Sequence, residues 1–252
     1  MTNHRSTILS SRQRSPVARL FVPTLGPTDW RRLLADPQKQ WKVRKSAYES
    51  AVAWEAARRT ARGLPPAIER LFDSSPAFAG ASLLLGIPEH QVELAGGGHP
   101  SQTDLWALVS TPGGVASVAV EAKAGESFDR LVSEWLEDTK PSSGKRDRLS
   151  QLCGMLEIPE ASAFSCRYQL MHRSVSAVLE ARRFQLSTAV FLVHAFGNNE
   201  DSFKDYFSWA GALGCVAERG QLQPLGLRGG VALWIAWVDV EPADDPTVRA
   251  AL

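Results

Sequence analysis

Three charged residues are spaced so that they could perform chemistry together: Asp104, Glu121 and Lys123. Glu121 and Lys123 flank a single alanine at the end of an apolar run, and Asp104 lies near the start of the run before it. Alternate residues of a strand point to the same face of a sheet, so we expect Glu121 and Lys123 to share a face. A tight hairpin at 111–114 would bring Asp104 beside them. The sequence thus predicts two carboxylates and one ammonium in a small volume.

Such a cluster suits a divalent cation. Two carboxylates at close range repel each other, and Mg²⁺ between them removes this cost because the ion prefers hard oxygen ligands. A neighbouring lysine could stabilise negative charge on a phosphate oxygen, or help to orient and deprotonate a water molecule. We therefore expect Asp104 and Glu121 to bind Mg²⁺, with Mn²⁺ as a substitute, and Lys123 to assist the reaction.

The surrounding pattern predicts the elements that would position this cluster. Short β-branched or apolar runs separated by glycine-rich turns predict three consecutive strands, at 91–94, 103–110 and 115–123. Period-3.6 patterns and helix-start signals predict helices before and after them. These helices cover 39–59, 64–75, 78–87, 126–139, 145–158, 166–184 and 201–213. Two further apolar runs predict strands at 187–196 and 230–240.

This order of elements indicates a layered α/β fold with a mixed central sheet flanked by helices. Residues 1–27 are polar, basic and interrupted by prolines, which predicts a flexible or strap-like lead ahead of a single domain over 28–252. The chain has three cysteines and no C-x-x-C pair, which favours reduced thiols over a disulfide framework or a zinc ribbon.

The triad in its strand context resembles the PD-(D/E)XK nuclease superfamily. In that superfamily an acid on the second core strand and an E-x-K on the third bind Mg²⁺ and cleave a phosphodiester. The resemblance implies a restriction-endonuclease-like core in αβββαβ order, with Asp104, Glu121 and Lys123 as the matching residues. Thr103 precedes Asp104 where the superfamily pattern has proline. The wider pattern over about 39–197 resembles an uncharacterised bacterial family grouped with these nucleases.

The resemblance also points to residues on two helices. Several branches of the superfamily add a glutamate to the metal site from the first core helix, and Glu55 lies on the apolar face of the helix predicted here. The alternative is that Glu55 lies at the edge of that face and reaches solvent, and Glu49 is a competing acid on the more polar side. We expect Glu55 to join Asp104 and Glu121 as a metal ligand.

The second helix, at 166–184, resembles an element of RecB-like and phage-exonuclease-like members, without their Q-x-x-x-Y spacing. Gln169, His172, Arg173 and Ser176 fall on one face at i, i+3, i+4 and i+7. We expect Gln169, His172 and Arg173 to bind the substrate backbone. The alternative is a solvated face with Arg173 in a surface ion pair.

Charge distribution and hydropathy limit the class of partner. The net charge is +1, yet ten basic residues face only two acids before Tyr48, which suits a polyanion. No apolar run approaches the roughly 20 residues that span a bilayer, and the first residues lack the apolar core of a signal peptide. We expect a cytoplasmic protein with no membrane partner. The resemblance also allows a homodimer.

Our first functional hypothesis is a Mg²⁺-dependent phosphodiesterase acting on DNA, with RNA the second choice. The alternative is a non-catalytic module that keeps the nuclease fold and binds nucleic acid or a protein. A third option is another enzyme chemistry that uses the same acids. In the metal-free protein, amide replacements of Asp104 or Glu121 are expected to leave thermal stability unchanged or to raise it, because they remove repulsion.

Overall fold

Six strands form one mixed sheet in a computed structural model that describes residues 24–137 and 144–242. The strand order across the sheet is β1-β2-β3-β4-β6-β5. The strands are β1 (Ser82–Val92), β2 (Ser101–Thr111), β3 (Gly114–Lys123), β4 (Thr188–Phe196), β5 (Leu222–Arg228) and β6 (Val231–Val240). Together with the flanking helices, this sheet confirms the prediction of an α/β fold with a mixed central sheet.

Eight α-helices are described, and the longest of them, α7, packs against β3 and β4. They are α1 (Pro37–Gln40), α2 (Ser46–Ala56), α3 (Pro66–Asp73), α4 (Val132–Glu137), α5 (Lys145–Leu156), α6 (Glu160–Ala163), α7 (Tyr168–Arg183) and α8 (Glu200–Ala212). A 3₁₀ helix at Pro27–Leu33 precedes α1. Among the helices of the described ranges, none combines the length and apolar character needed to cross a bilayer.

The first three strands form an antiparallel meander, and the predicted hairpin joins β2 to β3 through residues 112–113. Leu105 is opposite Val120 in this hairpin, so the next residues along, Asp104 and Glu121, lie on one face of the sheet. β4 pairs in parallel with β3 and with β6 and therefore lies inside the sheet. This interior position explains why β4 reads as an unbroken apolar run.

Apolar residues of the central strands alternate between two cores, one on each face of the sheet. Val118 and Val120 pack into the core that contains Trp54 of α2 and the residues of α3. Ala119 of β3 and Phe191 of β4 pack into the other core with α5, α7 and α8. Complete burial of one large apolar side chain contributes about 1.5–3 kcal/mol, so the two cores fix which face of β3 each side chain occupies.

The prediction of a helix at 78–87 is wrong, because residues Ser82–Val92 form strand β1. The leucine run at 83–85 fits either a buried helix segment or a strand, and pairing with β2 decides between them. β1 is an edge strand, where Pro88 is tolerated. The strand predicted at 91–94 is therefore only the end of a longer one.

Three other boundaries differ from the predictions. The helix predicted over 39–59 is broken at 41–45, where Arg44 has a φ of 65°, and α2 begins at Ser46. Only Val132–Glu137 of the segment 126–137 is helical. β5 was not predicted, because Pro224 and the bulge before Gly226 hide its alternation. Residues 1–23 of the predicted lead and 138–139 of the predicted helix fall outside the described residues.

Candidate functional site

A cavity of about 600 Å³ opens where β3 ends and β2 begins, and it brings together most of the predicted site residues. The strands supply Asp104, Glu121 and Lys123, and α7 supplies Gln169 and Arg173. The segment just before and within the first turn of α2 closes another side of the cavity. Five side chains from three elements therefore meet at one end of the sheet.

Glu121 is the centre of the hydrogen-bond network in this cavity. Its Oε1 accepts from Gln169 Nε2 at 2.6 Å and from Lys123 Nζ at 3.1 Å. Its Oε2 accepts from Arg173 Nε at 2.7 Å. Burial raises the pKa of this carboxyl, but the charges of Arg173 and Lys123 outweigh burial, so the pKa lies below its usual value. Glu121 is therefore an ionised carboxylate held by two cations.

Lys123 is buried at the end of β3, and its ammonium is fixed by three contacts. Besides Glu121, Nζ donates to Gln169 Oε1 at 2.9 Å and lies 4.5 Å from the ring centroid of Phe128. A cation over an aromatic face is attracted by the ring, which adds to the hydrogen bonds. The amide of Gln169 thus bridges Lys123 and Glu121, donating to one and accepting from the other.

Asp104 is half-buried and carries the carboxylate with the most perturbed environment of the predicted triad. Its Oδ2 accepts from the backbone N of Ala122 at 2.6 Å. Burial, followed by the charge of Glu121, raises the pKa of Asp104 to about 7. Burial disfavours the charged form of this carboxyl, and the nearby carboxylate of Glu121 adds repulsion.

Glu89 of β1 also lines the cavity, and it was missed by the sequence analysis. Its backbone adopts a φ of 53°, and its Oε2 accepts from Gln102 Nε2 at 2.8 Å. Burial and the charge of Asp104 raise its pKa well above the usual value. The sequence signal for Glu89 is that an acid lies on the strand that pairs with β2. This signal can be used only when 82–92 has been assigned as a strand.

The cavity contains the type of ligand that Mg²⁺ prefers. Asp104, Glu121 and Glu89 offer hard carboxylate oxygens, and the raised pKa of Asp104 reflects its burial and a repulsion from Glu121 that a divalent cation would relieve. Both oxygens of Glu121 already accept from protein donors, so an ion would share them. Within residues 24–137 and 144–242, no set of three or more His, Cys, Asp or Glu side chains is grouped to hold a metal. The carboxylates fit the ion by chemistry, and Asp104 and Glu89 each accept a single hydrogen bond from the described residues, which leaves oxygens open to an ion.

His172 does not line this cavity, although the sequence predicted that it would do so with Gln169 and Arg173. Its Nδ1 lies 2.7 Å from Ser101 Oγ, and its ring lines a neighbouring cavity. Burial, followed by the charge of Arg173, lowers its pKa well below the usual value, so the ring is neutral. The face of α7 is therefore divided between two cavities. Ser176, from the same predicted stripe, also bonds to Ser101.

Glu55 is buried away from Asp104 and Glu121, contrary to the prediction that it joins them. Its Oε1 accepts from Thr24 Oγ1 at 2.6 Å and from Trp30 Nε1 at 2.8 Å. Its Oε2 accepts from Arg58 Nη1 at 3.0 Å. These contacts tie the segment before α1 to α2, which is a structural task. The competing acid Glu49 is also buried rather than on a polar side, and it accepts from the backbone of Arg44.

These features define a class of protein: an α/β protein with a mixed sheet and a buried carboxylate, lysine and arginine cluster at one end. The chain belongs to the family described as Domain of unknown function (DUF6946), whose model matches residues 23–242. Comparisons with curated proteins and with solved structures found no match. The family description states no activity.

Proposed function

We propose that this protein is a Mg²⁺-dependent phosphodiesterase that acts on nucleic acid, with DNA favoured over RNA. One observation carries the proposal: Asp104, Glu121 and Lys123 line a single cavity together with Gln169 and Arg173. These residues come from three separate elements, β2, β3 and α7, and the fold brings them together at one end of the sheet. The acids supply oxygen ligands, and the bases supply charges that suit a phosphate.

The topology supports a restriction-endonuclease-like core. A helix, an antiparallel meander of three strands, a second group of helices and a fourth strand parallel to the third follow each other along the chain. This succession supports the αβββαβ order that the resemblance to PD-(D/E)XK nucleases implies. The acid of the triad comes from the second strand of the meander and the E-x-K from the third, as in that superfamily.

Each residue of the cavity has a proposed task. Asp104 and Glu121 would hold Mg²⁺, which when bound supplies Lewis-acid polarisation of the phosphate and a lowered pKa for its water. Lys123 would donate to a phosphate oxygen that gains negative charge, and its contacts with Gln169 and Phe128 already orient it. Arg173 fixes the Glu121 carboxylate through Oε2.

Basic residues in the cavity lining support a polyanionic substrate. Lys39 of α1 and Lys45, which directly precedes α2, line the cavity. The first residues of the described chain are rich in Lys and Arg as well. Neutralisation of backbone phosphates by such groups supplies much of the affinity of nucleic-acid-binding proteins and weakens as salt is added.

The test is a cleavage panel with plasmid, linear duplex DNA, single-stranded DNA and RNA, each with Mg²⁺, with Mn²⁺ and with EDTA. Asp104→Asn is the inactive variant, because it removes ligand charge without removing the partner of a buried cation. Glu93→Gln is the matched control, since Glu93 is exposed and outside the cavity. We expect metal-dependent cleavage by wild type and Glu93→Gln and none by Asp104→Asn. Equal cleavage by all three proteins would reject the proposal.

A non-catalytic binding module is the second candidate, and the occupancy of Glu121 favours it. Both oxygens of that carboxylate are satisfied by Lys123, Gln169 and Arg173 without any ion. A site that is complete in this way could serve as a stable wall of a binding cavity. Nucleic-acid binding without cleavage by wild-type protein, in any metal, would support this second candidate over the first.

A further inference from the structure

A second cavity, of about 310 Å³, adjoins the one that contains Glu121. Asp129 lines both cavities, and successive residues of α7 face them alternately: Gln169 and Arg173 face the first, Tyr168 and His172 the second. The side chains that line the second cavity and can carry positive charge or donate a hydrogen bond include His99, Arg130, Lys145, Arg148, Tyr168 and His172. The two cavities are therefore neighbouring compartments of one surface.

Arg148 is a buried cation whose described partners are all neutral. Its guanidinium donates to the carbonyl oxygens of Ala95 at 3.1 Å and His99 at 2.9 Å, to that of Gly97, and to Tyr168 Oη at 3.2 Å. Within the described part of the chain, no carboxylate forms an ion pair with it. A buried charge without a counter-charge is costly, so an external anion would stabilise this wall.

The remaining side chains add positive charge and donors. Arg130 is exposed beside the cavity, and Lys145 Nζ donates to the carbonyl of Trp135 at 2.5 Å while lying 5.3 Å from that ring centroid. Asp129 is the only acid lining this cavity among the described residues. Among the described lining residues Arg130, Lys145 and Arg148 outnumber Asp129, so this lining carries a net positive charge.

His172 adds a polar ring to the same compartment. Its Nδ1 lies 2.7 Å from Ser101 Oγ, which also accepts from Arg173 Nη1 at 3.2 Å and from Ser176 Oγ at 2.8 Å. The tautomer of the ring decides which of His172 and Ser101 donates in their shared hydrogen bond. The other ring nitrogen, Nε2, forms no hydrogen bond with the described residues and is available to a ligand.

We propose that this second cavity binds a phosphate group of the nucleic acid. This phosphate would neighbour the one proposed to react in the first cavity, beside Asp104, Glu121 and Lys123. This inference rests on the proposed function, because it assigns the two compartments to successive parts of one strand. Arginine and lysine side chains are donors that match phosphate oxygens, and an anion would give Arg148 the counter-charge that the described residues do not provide. The phosphate can come from a strand end or from an internal phosphodiester.

The first experiment uses inorganic phosphate as the probe, without metal, and compares it with KCl at equal ionic strength. Arg130→Gln removes one cation from an exposed position, and Arg146→Gln is the control, since Arg146 is exposed and pairs with Glu160 outside the cavity. At about ten times the dissociation constant, we expect Tm to rise by roughly 3 °C in wild type and in Arg146→Gln, and by much less in Arg130→Gln. Equal rises in all three proteins, or none in wild type, would overturn the inference.

The second experiment identifies the source of the phosphate. Oligonucleotides of one sequence, bearing a 5′-phosphate, a 3′-phosphate or neither, are titrated in EDTA so that no cleavage occurs. A preference for one phosphorylated end, weakened about tenfold in Arg130→Gln, identifies a terminal phosphate. Equal affinities that all weaken in Arg130→Gln identify an internal phosphodiester. Identical affinities for Arg130→Gln and Arg146→Gln would again overturn the inference.

Failure of this inference can be distinguished from failure of the proposed function. Arg130-dependent phosphate binding by a protein that cleaves nothing would support the second cavity and reject the phosphodiesterase. Metal-dependent cleavage that requires Asp104, with no Arg130-dependent phosphate binding, would support the phosphodiesterase and reject the second cavity.

Discussion

Arg173 Nε lies 2.7 Å from Glu121 Oε2, and this ion pair is almost completely enclosed by protein. Lys123 contacts the other oxygen of the same carboxylate, so one buried acid balances two cations. The removal of one partner from a buried pair leaves an uncompensated charge, which costs more than the pair itself contributes. The charge of Glu121 therefore stabilises the folded protein. The charge of Asp104, whose pKa is raised, has the opposite effect on stability.

We predict that Glu121→Gln destabilises the metal-free protein by about 3–5 kcal/mol, because Arg173 and Lys123 lose their counter-charge. Asp104→Asn should be neutral or stabilising, since its amide oxygen can still accept from Ala122 and the repulsion with Glu121 disappears. The expectation from sequence that both variants behave alike is revised accordingly. Urea unfolding in EDTA measures the difference, and equal losses in the two variants would contradict it.

The second prediction concerns Lys123. Lys123→Ala keeps both carboxylates, so the Mn²⁺-induced rise in Tm should persist while turnover falls by a factor on the order of 10² or more. Asp104→Asn, in contrast, should lose both the Mn²⁺ response and turnover. A thermal-shift titration beside single-turnover cleavage separates these effects. Loss of Mn²⁺ binding in Lys123→Ala would assign the lysine to the integrity of the metal site instead.

The third prediction is a pH dependence with a defined sign. The folded pKa of Asp104 is raised from 3.8 to about 7, so between these values the folded state binds more protons and this group's contribution to stability falls as pH rises. His172 and His194 have lowered pKa values and act in the opposite direction below pH 6.5. The useful quantity is therefore the stability difference between Asp104→Asn and wild type.

This difference should grow in favour of Asp104→Asn by on the order of 2 kcal/mol between pH 4 and pH 7.5 in EDTA. The full pKa shift would give more, but Asp104 is half-buried and solvent screens part of its charge. Urea unfolding at a series of pH values provides the measurement. A difference that stays constant over this range would show that Asp104 is not strained in the metal-free protein.

The fourth prediction separates Glu55 from the site. Glu55→Gln should destabilise the protein by about 2–4 kcal/mol. The buried carboxylate of Glu55 accepts hydrogen bonds from three donors, and the substitution places a neutral amide against one of them, Arg58. At temperatures where the variant is folded, its metal dependence and its cleavage rate should equal those of wild type. A Glu55→Gln protein that folds well and yet loses its metal response would return Glu55 to the site.

Local patterns are sufficient to predict the parts of the site that lie on well-defined elements. The strands at 103–110 and 115–123, the turn between them and the helix at 166–184 all carry their own periodicity and turn residues. Strand alternation then fixes the shared face of Glu121 and Lys123, and helical spacing fixes that of Gln169 and Arg173. These four residues and Asp104 do line one cavity.

Elements with ambiguous local patterns caused the failures. A leucine run followed by Gly-Ile-Pro fits a helix or an edge strand, so Glu89 could not be placed until β1 was known to pair with β2. The apolar face of α2 identifies Glu55 as an inward-facing acid, but two cores exist and the pattern does not say which group it contacts.

The sequence by itself determined the α/β class, the hairpin and the acid and base pair at its end, because these depend on contacts between residues close along the chain. Only the tertiary structure decided that Glu121 is held by α7, that Glu89 joins Asp104 and that Glu55 binds the segment before α1. It also decided that Arg148 is buried with only neutral partners among the described residues. Each of these depends on which distant surfaces pack together. That choice is made by burial of both faces of the sheet, a property of the whole chain rather than of any window within it.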